Sequence, residues 1–210
     1  MNVIEAYVKY NGYLIIIISG IDGCGKTHVA KQLSKDLRLP LIKQDKFYKT
    51  DYNESVTLPN GKEVINWDAD DAINWDELNK EINNQKSGVI VSGMSFPSDK
   101  LDFEQTYHIH ITMAKQVCFN RKKDYITEHK DKYVQEFEDY ESGHAKVVFN
   151  QLTFPFHKDS VKRASINKFL NATTTSVDEI FDKSFDLIIE HIQKFLDKYA
   201  FSEAQEKEYG

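Results

Sequence analysis

Apolar positions follow two periods along this chain, and the switches between them mark out its elements. Leu14 to Ile18 is an unbroken apolar run rich in β-branched residues, as a parallel strand covered on both faces requires. Val29, Ala30, Leu33 and Leu37 then recur at helical spacing, with Lys31, Gln32, Lys35 and Asp36 between them. Leu39-Pro40 breaks that helix, and Leu41 to Lys43 reads as a short second strand. Ala72, Ile73, Trp75, Leu78 and Ile82 predict a helix to about Asn84, with Asp68 or Asp70 as a candidate cap. Val89 to Gly93, Tyr107 to Thr112 and Ile166 to Leu170 read as three further strands, and Ala114 to about Lys132 as a basic helix. Ser176 and Glu179 form a capping box before a long amphipathic helix that runs from Val177 past Tyr199. Strands alternating with helices predict an α/β fold: three layers, α/β/α, around a mostly parallel five-stranded sheet, as one domain over 1–210.

Four stretches fit that frame less directly. Ile4, Ala6, Val8 and Tyr10 alternate with Glu5, Tyr7 and Lys9, and Asn11-Gly12 follows, which predicts an added strand or arm over 1–12. Residues 46–66 carry Pro59-Asn60-Gly61 between two short β-rich runs and predict a small hairpin over the substrate side. Residues 133–164 are aromatic-rich, and Pro155 argues against one long helix there. Their aromatics favour packing over base stacking. The charged segment 202–210 predicts a frayed tail.

Charge and cysteine content narrow the function classes. The formal net charge is −6, which disfavours a general nucleic-acid partner. Cys24 and Cys118 have neither the number nor the spacing of a zinc site or disulfide framework, consistent with a reducing, cytoplasmic setting. The run from Tyr13 to Ser19 is far too short to cross a membrane, so no membrane partner is expected. His108 and His110 share one face of a strand; an edge or half-exposed strand explains them more simply than a metal does.

The most specific chemistry lies in Gly20-Ile-Asp22-Gly23-Cys24-Gly25-Lys26-Thr27, which fits the phosphate-binding pattern GxxxxGK[ST] between a strand and a helix. Its glycines let backbone N–H groups turn toward phosphate oxygens, its lysine reaches the outer phosphates and its hydroxyl can hold Mg²⁺. Gly20, Asp22, Gly23, Cys24, Gly25, Lys26, Thr27 and His28 are therefore the candidate nucleotide-binding residues. Asp45 follows the second strand at its carboxyl end, where ligands bind in open α/β sheets.

With Gln44-Asp45-x-Phe47-Tyr48 and Asn66-Trp67-Asp68-x-x-Asp71-Ala72 added to the loop, the chain resembles the uridine kinase and nicotinamide riboside kinase group of P-loop kinases over about residues 13–125. That resemblance implies a P-loop NTPase fold with a small lid at about 114–135. It implies ATP and Mg²⁺ as cofactors and a nucleoside-like small molecule as acceptor of a phosphoryl group on its 5′-hydroxyl. By the same resemblance Asp45 is the general base, Lys26 and Arg121 stabilise the transferring group, and Thr27 with Asp45 holds the metal. Phe47, Tyr48, Trp67 and Asp68 line the substrate side, Asp68 on the ribose hydroxyls and Trp67 against the base. Ser92 departs from the pattern, standing where the family has an acidic residue that supports the metal. That leaves open an ATP-binding protein with weak or lost kinase activity, or a kinase of another small metabolite such as pantothenate.

Overall fold

Burial on both faces accounts for the apolar run after Tyr13. The computed structural model describes residues 2–209, and the side-chain surroundings of residues 2–199. In chain order the elements are α1 (Val3–Asn11), β1 (Ile15–Ser19), α2 (Lys26–Leu37), β2 (Leu41–Lys43), β3 (Ser55–Thr57), β4 (Glu63–Ile65), α3 (Trp75–Asn83) and β5 (Val89–Gly93). There follow β6 (Tyr107–Thr112), α4 (Lys115–Glu128), α5 (Val134–Glu141), α6 (His144–Val148), α7 (Phe154–Arg163), β7 (Lys168–Asn171) and α8 (Val177–Tyr209). The main sheet has strand order β2-β5-β1-β6-β7, and every pairing in it is parallel. β3 and β4 form the separate antiparallel hairpin expected within 46–66.

Alternate residues of β1, with Leu14 just before it, feed two cores. Leu14, Ile16 and Ile18 join residues of α1, α2 and α8 on one face. Ile15 and Ile17 join Leu78 and Ile82 of α3, with Phe96, on the other. The result is the α/β P-loop NTPase fold, with the sheet between two helical layers.

Several local expectations need correction. Residues 3–11 are helical, because Asn2 and Glu5 form a reciprocal capping box and Gly12, at φ 88°, closes the helix in the left-handed region. Ile4 and Tyr7, one turn apart, are its buried positions, and Tyr7 packs on Phe195 of α8. The helix predicted from Ala72 begins at Trp75, and its cap is Asn74, whose side chain accepts from Glu77 N–H; neither Asp68 nor Asp70 caps it. The last sheet strand starts at Lys168, two residues later than predicted, because Asn167 is used to pin His108: its side chain accepts the His108 N–H at 2.7 Å. Pro155 sits in the first turn of α7, where its missing N–H costs little, after a π-helical turn over Phe149–Thr153. Where a frayed tail was expected from 202, α8 continues to Tyr209; the side chains of 200–210 and Gly210 itself lie outside the described residues.

Candidate functional site

The phosphate loop departs from the carboxyl end of β1 and opens α2 at Gly25, which caps the helix at φ 93°. Gly23 shows why the pattern demands glycine: at φ 88° a side chain is strained, and a Cβ there would run into the carbonyl oxygen of Cys118. Cys24 turns inward to the core and contributes only its backbone to the loop.

Lys26, Thr27, Asp45, Tyr48 and Arg121 line one cavity of about 730 Å³, with Asp22, Gly23, Gly25, His28 and Ser92 in its wall. Asp45 is carried by a 3₁₀ turn, Gln44–Phe47, that follows β2. Gln44 anchors this turn: its Nε2 donates to Ser95 O at 2.9 Å and its Oε1 accepts from Met94 N at 3.0 Å. Lys26 Nζ donates to Asp22 Oδ1 at 2.6 Å, and Lys122 Nζ lies 3.6 Å from the other carboxylate oxygen. Lys26, and secondarily Lys122, hold the Asp22 carboxyl well below the usual range. Burial works against the Lys26 ammonium, yet Asp22, with Cys24 and Asp45, pushes its pKa up on balance.

Asp22 thus occupies the cation that the loop pattern reserves for phosphate. Asp22→Asn should tighten nucleotide binding by up to about fivefold, since an ion pair whose carboxylate is half in solvent contributes roughly 0.2–1 kcal/mol and is lost when a phosphate takes its place. Calorimetric titration with ATP reads this directly, and weaker binding by the variant would show that the carboxylate helps the ligand.

A second cavity, of about 520 Å³, shares Asp22 and Lys122 with the first and is walled by Val64, Ile65, Trp67, Phe119, Tyr140 and Phe149. Trp67 lies edge-on to Tyr48, with ring centroids 6.0 Å apart. Asp68 accepts from Thr153 Oγ1 at 2.7 Å; burial raises its pKa, with this bond opposing. Burial, then Asp68, Asp22 and Asp45, raise the Tyr48 phenol.

Two sequence assignments change. Phe47 is half-buried against the α3 core, and its neighbour Tyr48 lines the cavity instead. Some aromatics of 133–164 do line a ligand-sized space, Tyr140 and Phe149 among them. His28 stays on the rim, 3.7 Å from Asp178. Sequence reading also passed over Thr153 and Arg163, and it placed Lys122 only in the basic run of the lid helix, not beside Asp22. Arg163 ties α7 to Asp70 at 2.8 Å and to Asp99 at 3.0 Å. The only signal for Thr153 was its place two residues before the proline of an aromatic segment.

The donor set suits Mg²⁺ in kind. That ion takes one or two protein ligands and fills its shell with phosphate oxygens and water, and Thr27 and Asp45 line one cavity. No group of three or more His, Cys, Asp or Glu able to hold a metal occurs among the described residues. Ser92 is buried at the position of the expected acid, with Lys43 beside it in register.

His108 and His110 are not on an edge. β6 lies between β1 and β7, and both rings are covered, His110 by His157 of α7 at 5.2 Å. Burial lowers all three imidazoles from the ordinary 6.5, His108 to about 4, His110 to about 3 and His157 to about 4. Nearby His157, His108 and Lys26 add to the effect at His110. A depressed folded pKa means that the unfolded chain binds protons first as pH falls. Their contribution is therefore complete above about 6.5 and is lost toward 4. Thermal melts between pH 7.5 and 4 should show Tm falling below about 6.5, with net proton uptake on unfolding; a flat profile there would contradict neutral buried rings.

A family model described as AAA domain matches residues 16–144. Among solved structures, a gluconokinase from Sinorhizobium meliloti 1021 is similar at 12% identity, covering 90% of this chain and 97% of that one, with a TM-score of 0.50. A shikimate kinase from Acinetobacter baumannii, in complex with shikimate, shares 13% identity over 88% of this chain and 97% of its own, with a TM-score of 0.49. Nothing among the curated proteins matches the chain.

Proposed function

The chain belongs to the AAA domain family, and on that premise we propose that it transfers the γ-phosphoryl group of ATP to the 5′-hydroxyl of a ribonucleoside-like acceptor, uridine, cytidine or nicotinamide riboside. The observation that carries this reading is the meeting of Lys26, Thr27, Asp45, Tyr48 and Arg121 around one cavity, adjoining a second bordered by Trp67. Phosphoryl transfer asks little covalent chemistry of the protein; it needs an oriented hydroxyl, an acceptor for its proton and positive charge on the phosphates.

Each need has a residue. Lys26, released from Asp22, pairs with the outer phosphates, and Arg121 approaches them from α4. Asp45 takes the proton of the attacking hydroxyl. Asp68, held by Thr153, accepts from vicinal hydroxyls, and Trp67 with the aromatic wall of the second cavity covers the ring. Mg²⁺, when bound at Thr27 and Asp45, neutralises phosphate charge.

Ser92 favours a second reading, an ATP-binding protein with weak or lost catalysis, because the expected acid is absent and Lys43 adds positive charge there. ADP release decides between them. The panel contains uridine, cytidine, nicotinamide riboside, pantothenate, gluconate and shikimate. A nucleoside that stimulates turnover supports the first reading. Stimulation only by another acceptor keeps the kinase and moves the substrate. ATP binding without stimulation by any of them selects the second.

A further inference from the structure

We propose that His110 is a positioning residue for the phosphate loop: its ring N–H, donated to the Ser19 hydroxyl, fixes the strand end from which Gly20 departs, and α7 holds the ring in place through His157.

The argument starts from satisfaction of buried polar groups. Ser19, His108 and His110 are 0%, 1% and 2% exposed, so each needs internal partners or leaves a costly orphan. Ser19 pairs in register with His110, and the three side chains share one face of the sheet. The Ser19 hydroxyl lies 2.6 Å from His108 Nε2 and 2.7 Å from His110 Nδ1.

Proton positions follow from the carbonyl at the end of the chain. His108 Nδ1 lies 3.1 Å from Ser165 O, and a carbonyl only accepts, so Nδ1 carries the hydrogen. In a neutral ring Nε2 is then an acceptor, and Ser19 must donate to it. The hydroxyl has one hydrogen, so His110 Nδ1 donates to Ser19. No member of this chain can reverse its role alone.

What the chain holds is the root of the phosphate loop. Gly20 follows Ser19 directly, its N–H shared between Gly93 O and Met94 O at 3.2 Å each. A Cβ on Gly20 would come within 2.6 Å of both Cys24 Sγ and Ile111 O, so the backbone there has little room to move. On the far side, the His157 ring stacks on His110 at an interplanar angle of 23°. His157 lies one helical turn beyond Thr153, which grips Asp68. Ring packing alone would not need a donor at Nδ1, and that difference is testable.

His110→Asn keeps an N–H near the Nδ1 position; His110→Gln moves it outward and His110→Leu removes it. Calorimetric ATP binding without acceptor reads the loop alone, whatever the acceptor proves to be. The Asn variant should bind ATP within about threefold of the parent, while Gln and Leu weaken it by about tenfold or more, since small displacements of positioned groups carry penalties of this order. With an active acceptor, kcat should fall in the Leu variant by about 10- to 100-fold while the acceptor KM stays within about threefold. Ser19→Ala combined with His110→Leu should be no worse than the poorer single variant, as expected of groups in one bond.

Equal losses in Asn and Leu, or a folded Leu variant with parental ATP affinity, would overturn the proposal. If the His110 variants do not fold, Ser19→Ala alone decides, measured well below the Tm of the variant: ATP binding weakened by about tenfold or more in the folded protein supports it, and binding within about threefold of the parent overturns it.

Discussion

Lys26→Met should abolish most of the proposed phosphoryl transfer, lowering turnover by about 10²–10³-fold, the usual cost of deleting one preorganised group that meets developing charge. The lysine is well placed for that role. Its side chain is only 12% exposed, it opens α2 directly behind the glycine turn, and it already holds a carboxylate oxygen at 2.6 Å. Methionine keeps the length and apolar stem, so the fold should survive. Asp22 is 51% exposed and retains Lys122, so its loss of Lys26 should cost no more than about 1 kcal/mol of stability. Arginine should rescue poorly, because its planar fork is a different shape from the compact ammonium that the loop encloses. The measurement is ADP release with the best acceptor, beside a thermal melt of each variant. Turnover within about threefold of the parent in a folded Lys26→Met protein would remove Lys26 from the chemistry, since a uniform binding contact alone leaves kcat unchanged.

The donor half of this cleft was legible in the sequence because its signals are local. A β-branched run, a glycine turn and a helical period stand next to one another from Leu14 to Leu37, and each is enforced by neighbours within a few residues. Where local signals compete, the chain was misread. Residues 3–11 show both an alternation and the Asn2-x-x-Glu5 box, and packing of Tyr7 on α8, nearly two hundred positions away, settles it as helix. His108 and His110 look like an exposed strand face because alternating polar residues normally meet water. Here they meet Ser19 and α7, and no local pattern announces which helix will cover a given strand face. Phe47 and Tyr48 are adjacent aromatics, and only the 3₁₀ turn decides that one enters the core and the other the cleft. Thr153 reaches Asp68 through a π-helical turn, which shifts the helix face out of the register that a simple period would suggest.

Asp45→Asn should cost about 10²–10⁴-fold in kcat, the range for loss of a positioned general base. Asparagine preserves shape and can still hydrogen-bond the acceptor hydroxyl, so the acceptor KM should stay within about threefold, which marks an interaction used in the transition state. The turn that carries Asp45 should persist, because its anchor is the buried Gln44 with its bonds to Met94 and Ser95. The same carboxylate is also a candidate Mg²⁺ ligand, and a titration of the metal separates the roles. A base cannot be replaced by more cation, whereas a weakened ligand can be compensated by mass action. If raising Mg²⁺ restores more than about tenfold of the lost turnover, the main work of Asp45 is to hold the metal. If Mg²⁺ restores nothing and kcat remains low, proton transfer is its work. Full activity in the variant would deny it both, and the base would have to be sought among the other groups that line the cavity with Lys26.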